Sequence, residues 1–412
     1  MIKLKKGIPL FDQHDKNGMW GGKFGGIFCG ESLIEPINEI SKAFEKFRYD
    51  KKFLKEKDDY FNNYIGAPTR FIKLQNLTRH LGGAQIWAKV VSDAKGGSHK
   101  IYHAVVHCLL AKKMGKKAVI CETGAGSFGK ALSMVAKHMG LKCRVFMGKV
   151  DIDRQHKNYL AIKKNGAEVI PVYTGNQTLV DAVSACFRAW ISESKTSYLA
   201  IGSTVGSTPF VKIVGWSVSQ VSKELKIQLK NVFGKIPPKL KLINCVGGGS
   251  SCFSLFSEFI DYNPKQVELI GVEAGGPKNS KLHAAPLSNN SKLGVLHGSL
   301  QYVVQDKDGQ ISDTESVSSG LDYPGVSPLH CFLKYTKRAR YTSASDEEAL
   351  EAYKIVSTLE NISPSLEPSH GFSEAIKIAP KLDESTIIVV GSCGDSQKDK
   401  SIIEKKLGKY IR

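Results

Sequence analysis

Short apolar, β-branched runs alternate with apolar residues at helical spacing along most of this chain. The runs Ile86 to Val91, Ala118 to Cys121, Cys143 to Met147, Glu168 to Val172, Leu240 to Val246, Val267 to Val272 and Thr386 to Val390 predict strands, and helical stretches separate most of them. A strand that is apolar throughout must be covered on both faces, which is the signature of parallel sheets flanked by helices. Ser32 with Glu35 three residues on is a capping-box pattern. Leu33, Ile37, Ile40, Phe44 and Phe47 then recur at helical spacing, predicting an amphipathic helix after the glycine-rich opening Gly21-Gly22-Lys23-Phe24-Gly25-Gly26. Further helices are expected over Ile101 to Met114 and about Phe210 to Lys230. Gly66-Ala67-Pro68-Thr69 reads as a turn. The stretch from about Ala274 to Tyr341 has little periodicity and many Gly, Ser and Pro residues, the composition of a site-forming or lid element in a compact enzyme.

At 412 residues the chain exceeds one ordinary hydrophobic core, so two doubly wound, mostly parallel α/β domains are expected, with the change of sheet after Gly202-Ser203. No run reaches the roughly 18 apolar residues of a membrane span, and Met1-Ile2-Lys3-Leu4-Lys5-Lys6 lacks the apolar region of a signal peptide. A cytoplasmic protein with no membrane role is expected. Nine cysteines, an odd number without a C-x-x-C pair or metal-like His spacing, argue against a disulfide framework and for buried thiols. The net charge of +19 raises the question of nucleic acid, which clustered Lys and Arg would bind. Here the basic residues (Lys51, Lys52, Lys112, Lys113, Lys116, Lys117, Lys163, Lys164, Lys405, Lys406) are dispersed, with no basic helix and no aromatic-basic ladder. They describe a solvated lysine-rich surface.

Candidate chemistry begins at Ser98-His99-Lys100, behind the Gly96-Gly97 turn and ahead of an apolar helix. A lysine at the mouth of a helix can lie in a cleft, where desolvation lowers its pKa and makes the amine nucleophilic; a solvated helix-end lysine is the plain alternative. Glu122-Thr123-Gly124-Ala125-Gly126-Ser127 follows a predicted strand and opens a helix, so its backbone N–H groups can converge on an anion. Gly247-Gly248-Gly249-Ser250-Ser251 adds two hydroxyls to the same device and is the better phosphate cup. It has neither the Gly-Lys-Ser/Thr ending of a nucleoside-triphosphate loop nor the spacing of a dinucleotide fingerprint. Ser392, in Gly391-Ser392-Cys393-Gly394-Asp395, lies just past a strand, where ligands of open α/β sheets gather. Ser392, Glu367 and His99 taken singly read equally as a turn serine, a loop carboxylate and a helix-cap histidine.

Together and in this order, these motifs resemble the tryptophan synthase β chain family of fold-type II pyridoxal-phosphate enzymes. The resemblance runs from about Gly21 to Asp399. It includes Glu122-Thr123-Gly124-Ala125-Gly126, Cys245-Val246-Gly247-Gly248-Gly249-Ser250 and Gly294-Val295-Leu296-His297-Gly298. Leu321-Asp322-Tyr323-Pro324-Gly325-Val326, Asp346-Glu347-Glu348-Ala349-Leu350-Glu351-Ala352 and the separation of Lys100 from Glu122 belong to it as well. The resemblance implies an aldimine between Lys100 and pyridoxal 5'-phosphate, with His99, Gly247, Gly248, Gly249, Ser250 and Ser251 around the phosphate. Glu367 and Ser392 would complete the cofactor site, Ser392 beside the pyridine nitrogen. A serine there leaves that nitrogen largely unprotonated, which suits β-elimination and β-replacement. Thr123, Gly124, Ala125, Gly126 and Ser127 would hold the substrate carboxylate. Glu122 would act as acid and base at the β-carbon, turning L-serine and indole into L-tryptophan.

The family further implies domains of residues 1–65 with 98–218 and 66–97 with 219–412, the first carrying a mobile closing region at about 115–202 that is locked by Arg154 and Asp322. It implies a monovalent cation (Na or K) on backbone carbonyls at Gly247, Tyr323 and Gly325, a β homodimer, and an α chain that delivers indole. The chain departs from the family at Lys89-Val90-Val91-Ser92-Asp93-Ala94, at Tyr102 and His103 in place of two asparagines, and at Ser127-Phe128 in place of Gln-His. It departs also at Ser251, at Val180 and around Ser392. A serine deaminase or another β-replacing enzyme would keep the cofactor and change the substrate; a non-catalytic scaffold would have no use for Lys100, Glu122 and Ser392.

Overall fold

The computed structural model describes residues 3–408. Ten strands form two sheets. They are β1 (Arg70–Lys73), β2 (Gln85–Val90), β3 (Ala118–Thr123), β4 (Lys142–Gly148), β5 (Glu168–Val172), β6 (Ser197–Ala200), β7 (Leu240–Val246), β8 (Val267–Ala274), β9 (Ala339–Ala344) and β10 (Ile387–Ser392). One sheet has the order β5-β4-β3-β6 and is parallel throughout. The other has the order β9-β8-β7-β10-β2-β1, parallel except for the edge strand β1. A small antiparallel sheet of residues 19–20, 24–25, 292–296 and 299–303 lies beside them, so the stretch that looked irregular contains a hairpin.

The seven strands expected from apolar runs are all present, each shifted at an end by no more than two residues. Three strands fall outside those runs. β1 and β9 are edge strands, half solvated and therefore polar in pattern: β9 reads Ala-Arg-Tyr-Thr-Ser-Ala with only its end residues buried. β6, Ser-Tyr-Leu-Ala, is buried throughout but has no β-branched residue to mark it. The double covering of the larger sheet is visible residue by residue. Leu242, Leu269 and Val389 join one buried cluster, while their neighbours Ile243, Ile270 and Ile388 join another on the opposite face.

Six helices matter for the site: α1 (Glu31–Phe47), α2 (Lys100–Lys113), α3 (Ser127–Met139), α4 (Thr208–Phe233), α5 (Ser250–Phe256) and α6 (Leu366–Ile378). α1 buries Leu33, Ile37, Ile40 and Phe44, as the spacing predicts, but it begins at Glu31 with Gly30 as its cap. Ser32 therefore sits inside the first turn, where its hydroxyl makes no cap, and the capping box is absent. α2 is buried from Ile101 to Ala111, so it runs through the interior of the molecule.

Behind the head of α2 lies a charge that the sequence pattern treated as part of a strand. Lys89, in the middle of β2, is fully buried; its ammonium donates to Glu224 Oε2 at 2.8 Å, to the Thr69 carbonyl at 2.7 Å and to Gln228 Oε1 at 3.0 Å. Glu224, on α4, also accepts the Thr69 amide and the Tyr102 hydroxyl, tying β2, α2 and α4 together. Tyr102 thus turns away from the head of α2, toward this cluster. A buried pair is costly to break because the surviving charge has no solvent. Glu224→Ala is expected to lower the unfolding free energy by about 3 to 5 kcal/mol in denaturant titration. Lys89→Met combined with Glu224→Met should recover part of that loss; a double variant less stable than Glu224→Ala would refute this role for the pair.

Candidate active site

The C-terminal ends of strands from both large sheets open into one cavity of about 570 Å³. It brings together His99, Lys100, Glu122, Thr123, Gly124, Ala125, Ser127, Gly247, Gly248, Gly249, Ser250, Ser251, Tyr323 and Glu367. Gly126, Arg154, Asp322, Gly325 and Ser392 do not line it.

Ser392 requires a correction. It is the last residue of β10 and is buried, and because successive side chains of a strand alternate, it is the next residue, Cys393, that reaches the cavity.

Lys100 and Glu122 meet across a single residue, Gly202, through the two peptide units that flank its Cα. The Lys100 ammonium donates to the Gly202 carbonyl, and the Gly202 N–H donates to Glu122 Oε1 at 3.0 Å. Burial lowers the Lys100 pKa to about 8 against the opposing pull of Glu122, and burial raises Glu122 to about 7 against the Gly202 hydrogen bond. Both groups can therefore change protonation near neutrality. Glu122 Oε2 is buried with no partner, so one oxygen remains for a ligand.

The two glycine-rich loops are shaped differently. A Cβ on Gly247 would come within 2.7 Å of the Gly320 carbonyl oxygen, and Gly249 has φ +103°, a conformation side chains avoid. Only glycine permits this close turn. His99 Nε2 lies 2.9 Å from Ser250 Oγ, which also accepts from Ser203 Oγ at 3.1 Å, so hydroxyls and imidazole gather at one end of the cavity. Burial lowers the His99 pKa, favouring the neutral ring. At the other loop, Gly126 caps α3 without a side-chain hydrogen bond, and Asn158 Nδ2 holds the Ala125 carbonyl at 2.6 Å. The Gly129 amide donates to Thr123 Oγ1 at 3.3 Å, so the amides of Ser127 and Phe128 are the ones left for an anion in the first turn of α3.

Glu367 is ion-paired with Lys398 at 2.7 Å, and Lys398 also meets Asp399 at 2.7 Å. Burial pushes Glu367 up, but Lys398 outweighs it and holds the carboxylate at about 2. Arg154 Nη1 lies 3.3 Å from Asp322 Oδ2. Gln155 to Ser319 at 2.8 Å and Asn176 to Asp313 at 2.6 Å are parallel contacts between the same two segments. Asn158, Gln155, Ser203 and Lys398 carried no sequence signal of their own, because each acts by where it lands in space. Phe128 and His103 are stacked, with ring centroids 4.9 Å apart, so two of the departures from the family pattern are one packing unit.

A family model described as pyridoxal-phosphate dependent enzyme matches residues 63–394. The chain belongs to this family. It is 42% identical over 379 residues to a tryptophan synthase beta chain of Bacillus pumilus (strain SAFR-032), covering 92% of this chain and 94% of that one. Two solved structures share the fold. One is a fungal L-serine ammonia-lyase from Rhizomucor miehei, 18% identical, with a TM-score of 0.63 over 83% of this chain and 98% of its own. The other is a diaminopropionate ammonia lyase from Escherichia coli, 16% identical, with a TM-score of 0.66 over 87% of this chain and 92% of its own.

The residues present suit the cofactor of this pyridoxal-phosphate enzyme. A cradle that no Cβ could enter, a buried amine depressed toward neutrality, and unpartnered buried atoms on His99, Glu122, Ser365 and Glu367 all face one space. Among the described residues no group of three or more His, Cys, Asp or Glu could hold a metal. Lysines are abundant, yet Lys100 is the one whose environment lowers its pKa at the cavity. Borohydride reduction of the cofactor-loaded protein is expected to label Lys100 in peptide mapping, and Lys100→Ala to abolish the label. Label on another lysine would overturn the assignment.

Proposed function

We propose that this chain joins L-serine and indole to give L-tryptophan and water, by replacement at the serine β-carbon. The observation that carries the reading is the Gly202 backbone, whose carbonyl accepts from an amine of lowered pKa and whose N–H donates to a carboxyl of raised pKa. Such a pair can move two protons at neighbouring carbons of one small amino acid.

The Gly247 to Ser251 cradle with His99 would hold the cofactor phosphate, and Glu367 and Cys393 would border the ring. When bound, pyridoxal phosphate supplies a sink for the electron pair released at the substrate α-carbon. The amides from Thr123 to Ser127 hold the α-carboxylate, which places the β-carbon toward Glu122. Lys100 takes the α-proton. Glu122, in its acid form, gives a proton to the departing hydroxyl and then, as carboxylate, receives the proton that indole nitrogen sheds on attack. A raised pKa serves the first task and a value no higher than about 7 leaves the second accessible.

Further parts of the same proposal are a closing movement of about residues 115–202 through Arg154 and Asp322, and a Na or K ion on the carbonyls of Gly247, Tyr323 and Gly325. A β homodimer, an α-chain partner and a cytoplasmic setting complete it. The relative's designation as a beta chain supports the α partner. No helix among the described residues is long and apolar enough to cross a membrane.

With L-serine followed by indole, tryptophan should accumulate; steady release of pyruvate and ammonia, indifferent to indole, would instead make the chain a serine deaminase. Because the hydroxyl leaves with a proton from Glu122, that step should slow as pH rises past about 7, where the acid form is lost. Glu122→Gln should flatten this dependence and lower the step on the order of 10²- to 10⁴-fold while cofactor binding persists. Unchanged turnover in that variant would remove Glu122 from the chemistry.

A further inference from the structure

Two cysteines from distant parts of the chain form a pair in the cavity. Cys245, next to last in β7, and Cys393, just past β10, bring their sulfurs to 3.6 Å. The two strands are parallel neighbours in the larger sheet. Both side chains line the cavity and both are buried, at 1% and 6% exposure. The remaining seven cysteines have no such sulfur neighbour among the described contacts.

We propose that Cys245 and Cys393 are an oxidative modification site: a dithiol that a peroxide converts to a disulfide while the cavity is free of cofactor, and that bound pyridoxal phosphate shields. The shielding half rests on the cofactor placement proposed above; the disulfide half does not. The step balances: the Cys393 sulfur attacks one peroxide oxygen, giving a sulfenic acid and releasing water, and the Cys245 sulfur displaces the sulfenic oxygen as a second water. Two thiols lose two electrons and one hydrogen peroxide gains them.

Geometry assigns the roles. Sulfurs at 3.6 Å need approach by only about 1.5 Å to reach the roughly 2.05 Å of a disulfide, a movement within reach of side-chain rotation. Cys393 is the more exposed of the two. A peroxide entering the cavity therefore meets Cys393 first, which makes it the attacking sulfur and Cys245 the resolving one; its contact with Cys245 lowers its pKa, which favours the thiolate. The consequence reaches the amine. Gly394, next to Cys393, bridges Ser98 and accepts the Ser365 amide at 2.9 Å, so the turn that a disulfide would pull is stitched two residues from Lys100.

The test uses the full chain, stripped of cofactor or loaded with pyridoxal phosphate, treated with hydrogen peroxide, quenched with an alkylating agent and mapped by peptide mass. The stripped protein should yield a Cys245–Cys393 linked peptide that has lost two hydrogen atoms, reversed by dithiothreitol, together with loss of cofactor uptake that recovers on reduction. Loaded protein should resist. Cys245→Ser and Cys245→Ala, each compared with its own untreated sample, should halt at a Cys393 sulfenic acid that dimedone traps. Absence of the linked peptide in the stripped wild-type chain, or linkage to a different cysteine, refutes the dithiol. Linkage at equal rates with and without pyridoxal phosphate refutes the shielding and, with it, the placement of the ring over Cys393.

Discussion

Everything at the site depends on the backbone of one buried residue. Gly202 lies two residues past β6, the last strand of the smaller sheet, and its carbonyl and N–H, from successive peptide units, are taken by Lys100 and Glu122. A buried amine and a buried carboxyl would each be costly alone; here each is satisfied at one atom by the Gly202 backbone, and burial moves both pKa values toward neutrality. The position tolerates no side chain, since a Cβ on Gly202 would lie 2.8 Å from the Phe128 ring. The residue is thus gripped from a third side by an aromatic that is itself stacked on His103.

The fold supplies rigidity where that backbone needs it. α2 carries Lys100 at its head and is buried along its length, so the amine cannot drift without disturbing a core. Tyr102, at its first turn, is anchored to the Glu224 and Lys89 cluster on the far side. Lys100 and Tyr102 lie on different faces of one helical turn. One faces the cavity and the other locks the helix, which is why a bulky residue is accommodated so close to a reactive lysine.

The larger architecture was legible because a strand covered on both faces must be apolar throughout, and seven segments are. Of the four edge strands only β5 was legible; β1 and β9 have side chains that meet water, and β6 has no β-branched residue. Lys100, Glu122 and the two glycine loops could be named because their chemistry depends on residue type and on local spacing. What could not be named depends on alternation and on contacts across the chain. Ser392 and Cys393 are adjacent polar residues in one motif, and only the strand's pleat decides which of them enters the cavity. Lys89 sits inside a predicted strand with nothing nearby in sequence to pair with it, and its partner Glu224 is 135 residues away.

The departures from the family pattern take on a different meaning once placed in space. Read along the sequence, Tyr102, His103 and Phe128 are three lost polar groups near the substrate. In the structure Tyr102 has left the site altogether, and His103 and Phe128 face each other in a stack over the Gly202 peptide. An imidazole and a phenyl ring at 4.9 Å pack behind the loop that opens α3, while Gly124, Ala125 and Ser127 line the cavity. In the function proposed above, recognition of the carboxylate would rest on main-chain N–H groups at the start of α3, which no substitution can remove without moving the helix. Replacing Phe128 by histidine alone would put a second imidazole against His103, whose two ring nitrogens already lack partners, so this position and His103 are constrained to change together.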